Sequence, residues 1–264
     1  MNVRKFHLNT NRELQLNWLP QRPFLGLWFL SYALHVADAE SFIIRTCGQT
    51  LSSTTPWALK KRLHLCFGQE AQHAISHEKI YKKAVHQLNW LKGYLFVHRW
   101  ICYKALPLIL NQKILLVVAA SLEQMNTKIS LWSLEQNSLS QATDSEMRNL
   151  MEWHFYEEVE HREVVFDLLE RENIPKWQLI VGSSITALNF FFWTTMTAFF
   201  MAVTQKIELK GIGLGKLFTL LIQSSFKLCK KDYHPSHEDI RIIDIYYGSN
   251  YRNSSVTQPL CRTT

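Results

Sequence analysis

"WHFYEEVEHREVVFD", Trp153 to Asp167, is the stretch on which the fold turns. Seven of its fifteen residues are Glu, His or Asp, and they sit among aromatics and valines. On a helix, His154, Glu158 and His161 are spaced i, i+4, i+7 and share one face. Glu158 and His161 form a Glu-x-x-His pair, which aims one carboxylate and one imidazole at the same spot, one turn apart. Glu157, Glu160 and Glu163 are expected to point elsewhere, toward solvent, with Glu157 as the fallback ligand in this run.

Working outward, "FGQEAQHAISHEK", Phe67 to Lys79, repeats the pattern with Glu70 and His73. Leu63, Phe67, Ala74 and Tyr81 lie near the same face, which marks it as inward, and His77 joins it. A buried carboxylate needs a partner, and a metal ion satisfies oxygen and nitrogen donors together. Two isolated carboxylates complete the set: Glu40 in "HVADAESFIIRT" and Glu123 in "LLVVAASLEQM". Glu, Glu-x-x-His, Glu, Glu-x-x-His on four successive helices is the ligand recipe of dimetal carboxylate bundles. One Glu-x-x-His is weak evidence. Two of them on separate helices, each preceded by an apolar-flanked Glu, are strong evidence. The expected fold is therefore all-α, a ferritin-like four-helix bundle with a C-terminal hydrophobic helical segment.

Punctuation places the helices. Residues 1–23 read as an irregular, Pro-punctuated lead-in. A helix is expected from Phe24 to about Gln49. The second runs from Pro56 to about Leu91, with Thr55 as N-cap. Gly93 and Pro107 mark a bend or short connection, and the third helix covers about Leu108 to Gln136. Thr143 and Glu146 suggest a capping box, so the fourth runs from Asp144 to about Glu172, ahead of Pro175. The dimetal domain is thus 24–175. A segment over 176–231 follows, and then a polar tail over 232–264.

Residues 177–205 carry no Asp, Glu, Lys, Arg or His, and Lys176 and Lys206 flank them. That length spans a bilayer as a helix, and Trp177 suits an interfacial anchor. Lys216 to Lys231 reads as a basic amphipathic stretch suited to an anionic surface. The formal net charge is +7, which fits a membrane surface. Nucleic acid is not expected as a partner, because there is no basic run, zinc-finger spacing or RRM motif. Five widely spaced cysteines without a CxxC point to a reducing compartment. The N-terminus has no apolar h-region of a secretory signal. The expected location is the cytoplasmic side, membrane-associated through 177–205.

"FGQEAQHAISH" with "WHFYEEVEHREVVFD" resembles the family labelled predicted metal-dependent hydrolase, with its QE-x-x-H-x-x-x-H and WH-x-x-EE-x-EH-x-x-x-FD motifs. The resemblance covers about residues 24–175. It is looser at Ala39, where Gly is expected, and at Gln124, where His is expected. The ligand pattern is also similar to that of the di-iron arylamine N-oxygenases, which implies His154 as a seventh ligand. His77, Glu157 and Asp167 are then candidates for supporting the ligands.

Such a donor set suits two metal ions, iron foremost, with manganese or zinc also accommodated. The first expectation is oxidation of a small apolar or lipid-like substrate by dioxygen, with electrons from an external donor. The alternative is hydrolysis by a metal-activated water. A third reading is a non-enzymatic iron-binding protein.

Overall fold

The architecture is seen in a computed structural model that describes residues 1–8, 12–209 and 214–243; the expected polar tail lies outside the described residues beyond 243. The first helix, α1 (Pro23–Thr50), opens on a proline at its first turn, a position where the missing N–H costs nothing. It packs on α2 (Trp57–Gln87), and α5 (Gln112–Glu135) packs on α6 (Ser145–His161). α1 also lies against α5, and α2 against α6, so these four make the bundle. No β-strand occurs among the described residues. The chain is all-α and helical-bundle in class, as its spacing predicts.

Several boundaries differ from expectation, each for a local reason. Thr55 does not cap α2. Its hydroxyl accepts the Ser52 amide at 3.1 Å, and Pro56 takes the cap position instead. Thr143 donates to the Trp18 carbonyl at 3.2 Å, so Asp144 caps α6 by accepting the Glu146 and Met147 amides. α2 ends at Gln87, and α3 (Asn89–Trp100) follows, then a π turn at Ile101–Ala105 and α4 (Leu106–Ile109). Asn111 caps α5 by accepting the Ile114 amide at 2.9 Å. The fourth bundle helix stops at His161 rather than Glu172. The Arg162 guanidinium takes the Val159 carbonyl at 2.8 Å, where a continuing helix would use a backbone N–H, and α7 (Val164–Arg171) starts afresh.

Residues 177–205 form part of one helix, α8 (Lys176–Thr204), laid against α1 and α5. Gly182 permits the approach: a Cβ there would meet Val117 Cγ1 at 2.5 Å. α9 (Leu214–Ser225) packs on α5 and α8, and a 3-10 turn at Lys227–Cys229 follows. α1 and α5 are thus covered on several sides, which is why their apolar residues run around the helix instead of along one stripe. The N-terminal lead-in is not loose. Phe6, Leu8, Leu14, Trp18 and Leu19 are all core residues.

Candidate metal centre

Four helices deliver four buried carboxylates to one place. Glu40 comes from α1, Glu70 from α2, Glu123 from α5 and Glu158 from α6, and each is at most 1% exposed. His73, His154 and His161 are buried among them. The inward stripe of α2 runs Leu59, Leu63, Cys66, Glu70, His73, His77, Ile80, Ala84. Its polar members sit where an ordinary helix would place leucines. Phe67, Ala74 and Tyr81, expected on that face, are only half-buried beside it.

The donors divide into two adjoining clusters. Glu40, His73, His154 and Glu158 offer ligand atoms within 4.8 Å of one another, and so do Cys66, Glu70, Glu123 and His161. A third grouping, Glu70, His73, Glu158 and His161, joins them. His73 Nδ1 lies 3.2 Å from Glu40 Oε1 and 3.7 Å from Glu158 Oε1. His161 stands between Glu70 at 3.2 Å and Glu123 at 3.3 Å.

All eight oxygens of these four carboxylates lack a well-aimed hydrogen-bond donor, as do both ring nitrogens of His161 and Nδ1 of His73. Buried polar groups are ordinarily satisfied, and buried charge is paired or binds metal. Two divalent cations would balance four carboxylates and give every orphaned oxygen a partner. The residues therefore fit a metal pair. Burial, reinforced by the neighbouring carboxylates, pushes Glu40, Glu70 and Glu158 well above the usual carboxyl range. Burial alone would lower His161, but Glu70 and Glu123 hold it up at about 9.

Around the ligands the support is uneven. Glu157 is buried, not solvated. It accepts from Arg4 Nη1 at 2.9 Å and Trp153 Nε1 at 3.0 Å, and meets His73 Nε2 at 3.2 Å. This turns His73 so that Nδ1 faces the cluster, the way carboxylates commonly orient metal-binding imidazoles. His154 has partners on both nitrogens: Tyr32 at 2.8 Å and His77 at 3.3 Å. Burial, with His73 nearby, lowers His77 to about 3, so its ring is neutral.

Asp167 is a correction. It is not brought to the centre: past the Arg162–Glu163 break it pairs with Arg62 and with His234 at 3.1 Å. Sequence reasoning also missed Cys66 and Arg4. Cys66 stands one turn before Glu70 on the same stripe, a spacing that could have revealed it. Arg4 gave no local signal, since it reaches the site from a non-helical segment. Burial, then Glu123, pushes the Cys66 thiol well above its ordinary value.

The sequence pattern of one family, described as predicted metal-dependent hydrolase, matches residues 2–239. The chain belongs to this family of predicted metal-dependent hydrolases. The match takes in the lead-in, α8 and α9 as well as the bundle, so Arg4 and the outer helices lie within the family's span. No curated protein and no solved structure matches the chain. For this metal-dependent hydrolase family member, the comparison favours the hydrolytic expectation over the oxidative one.

Proposed function

We propose that this chain is a dinuclear metal enzyme that hydrolyses a small, largely apolar substrate. One observation carries the reading: four buried carboxylates whose oxygens lack well-aimed donors, gathered with imidazoles in a chain of this family. Glu40, Glu70, His73, Glu123, Glu158 and His161 would hold the ions. His154, already engaged by Tyr32 and His77, serves better as a support for that set than as a seventh ligand. Two bound ions would polarise the scissile group and lower the pKa of a water toward about 7.

The chain's own residues do the rest. Arg4 and Trp153 fix Glu157, and Glu157 fixes the His73 ring. The Tyr32 phenol, pushed well above its ordinary value by burial and then by Glu158, stays protonated at its oxygen. It can hold a hydrogen bond to a substrate oxygen or to His154. Trp153, against His73, and Phe155, beside His154, are buried and keep bulk water from the cluster. In the reaction a water is divided between two products, its hydroxyl ending on one and its proton on the other.

A second reading, oxidation with iron and dioxygen, is favoured by the excess of carboxylates over imidazoles. One comparison separates the two. The chain is loaded anaerobically with zinc or with ferrous iron and tested on acyl esters and on alkyl substrates. Turnover with zinc and no oxygen supports hydrolysis. An iron absorption that bleaches on reduction and returns with air, with oxygen uptake only in the presence of an alkyl substrate, supports oxidation. Metal uptake without turnover of any substrate leaves only storage.

A further inference from the structure

α8 is inside-out. Most of the side chains it buries against the bundle are small or polar, among them Gly182, Ser183, Thr186, Ala187, Thr194, Thr197 and Ala198; Met201 and the half-buried Phe190, which packs on Trp28 and Tyr32, are the large apolar exceptions. The ones it turns outward are large and apolar, including Trp177, Leu188 (72% exposed), Phe192 (57%), Phe199 and Val203. A soluble helix does the reverse. The inner polar groups are used: Ser183 meets Ser121 at 3.2 Å, Ser31 donates to the Thr194 carbonyl at 2.7 Å, and Thr197 meets His35 at 3.0 Å. Small residues inward with bulky apolar residues outward is how helices pack when hydrocarbon is the solvent.

The face extends to both sides. The Phe191 ring lies 4.0 Å from that of Phe218 of α9, tilted against it, and Phe218 and Ile222 are exposed. Trp193 lies 5.5 Å from Tyr94 of α3, whose Phe96 and Trp100 are exposed. Lysines border the face: Lys176 and Lys206 at the ends of α8, Lys216, Lys230 and Lys231 about α9, all exposed. An apolar surface of this size edged by cations complements an anionic bilayer. α1 is also long and apolar, but most of it is buried in the bundle, whereas α8 is largely uncovered.

Beneath this face lies a narrow, mostly apolar cavity of about 60 Å³. It runs between α1, α5, α8 and the π turn. Tyr103 and Leu106 line it on one side, and Ile185 and Asn189 of α8 on the other. The exposed residues next to these are Lys104 and Leu108 on the one side and Leu188 on the other. At its inner end stand Tyr32 and Asn126, and Tyr32 touches His154 of the metal cluster. π turns are frequent where a helix lines a functional site.

We propose that the outer face of α8 sits in the hydrocarbon of an anionic bilayer, and that this cavity admits an apolar chain from that bilayer to the Tyr32 end of the metal centre. The substrate is then a lipid-like molecule with one hydrolysable polar end. That last step rests on the hydrolase reading; the membrane seat and the channel do not.

The test uses the full chain and vesicles of phosphatidylcholine with phosphatidylglycerol. Wild type is expected to float with the vesicles. Leu188→Glu/Phe192→Glu should lower partitioning by roughly a hundredfold, two large apolar side chains being lost from hydrocarbon, while Trp57→Glu/Ile75→Glu on α2 should float as wild type does. Helical circular dichroism and metal content, both unchanged, show that the variants fold. A phospholipid with a photoreactive diazirine on its acyl chain is then irradiated in the same vesicles, without metal. Label is expected on peptides holding Tyr103 and Trp193, and Val118→Trp should block it. Wild type that does not float, or a Glu variant that floats equally, overturns the membrane seat. Label confined to the outer stripe of α8 overturns the channel. Loss of metal binding without either change would instead strike the hydrolase reading.

Discussion

The two ends of the candidate metal centre contrast. At one end, Glu40, His73, His154 and Glu158 are backed by a scaffold. Glu157, Arg4 and Trp153 hold His73, and Tyr32 and His77 hold His154. At the other end, Cys66, Glu70, Glu123 and His161 face mainly one another: His161 stands between Glu70 and Glu123, and Glu70 otherwise faces only His73, at 3.9 Å. The first end is set before any ion arrives. The second is completed by the ion itself. Pre-set ligands lose less freedom on binding, so the backed end should hold its ion more tightly.

The largest expected effect removes both ends at once. Glu70→Ala/Glu158→Ala should drop bound metal from about two ions per chain to almost none, measured by elemental analysis after loading and desalting. The same change should raise the melting temperature of the metal-free chain, because two desolvated carboxyls are gone, while lowering that of the loaded chain. Two ions retained in the double variant would end the comparison, since the carboxylates would then not be ligands.

Next in size, Glu157→Ala should weaken only the backed end, by about 10–100-fold in metal affinity, the usual cost of losing an orienting carboxylate. Two-step metal titrations read it. An equal fall in both steps would mean that the ends act as one unit.

A pH experiment on a nearby pair outside both ends supplies a control. His35 and His98 lie 3.1 Å apart in the cavity wall. Burial, then His98, lowers His35, and burial, then Arg99, lowers His98 to about 3. Unfolded, each would take up a proton near about 6.5. Between these values the native state holds fewer protons, so the stability present at neutral pH is lost as pH falls through that window. His35→Gln/His98→Gln should flatten the acid limb of the melting curve between about pH 6.5 and 4, with metal content at both ends unchanged. A variant that keeps the wild-type acid limb would place that limb on other groups.

The smallest effect sharpens the unbacked end. Cys66→Ser should change the second binding step by only a few-fold, since oxygen replaces a soft donor at the same place. No change at all would make Cys66 a packing residue.

Much of this centre was legible locally. Glu70 with His73 and Glu158 with His161 are readable because one turn of helix brings i and i+3 together whatever else the chain does. Glu40 and Glu123 were readable as lone carboxylates in apolar runs. Asp167 was misplaced because the Arg162 guanidinium takes the Val159 carbonyl and ends α6, a competition that periodicity does not report. Glu157 looked solvated because its partners, Arg4 and His73, are remote in sequence.

Local pattern alone therefore determined the helical class and the candidate ligand residues, because helix pitch is short-range geometry that backbone hydrogen bonding imposes. Which helices meet was decided only in three dimensions. That choice put Arg4 under Glu157, drew Cys66 beside His161, and turned the small, polar side of α8 inward. Composition could show that α8 is apolar; only packing could show that its bulky side is the one left outside.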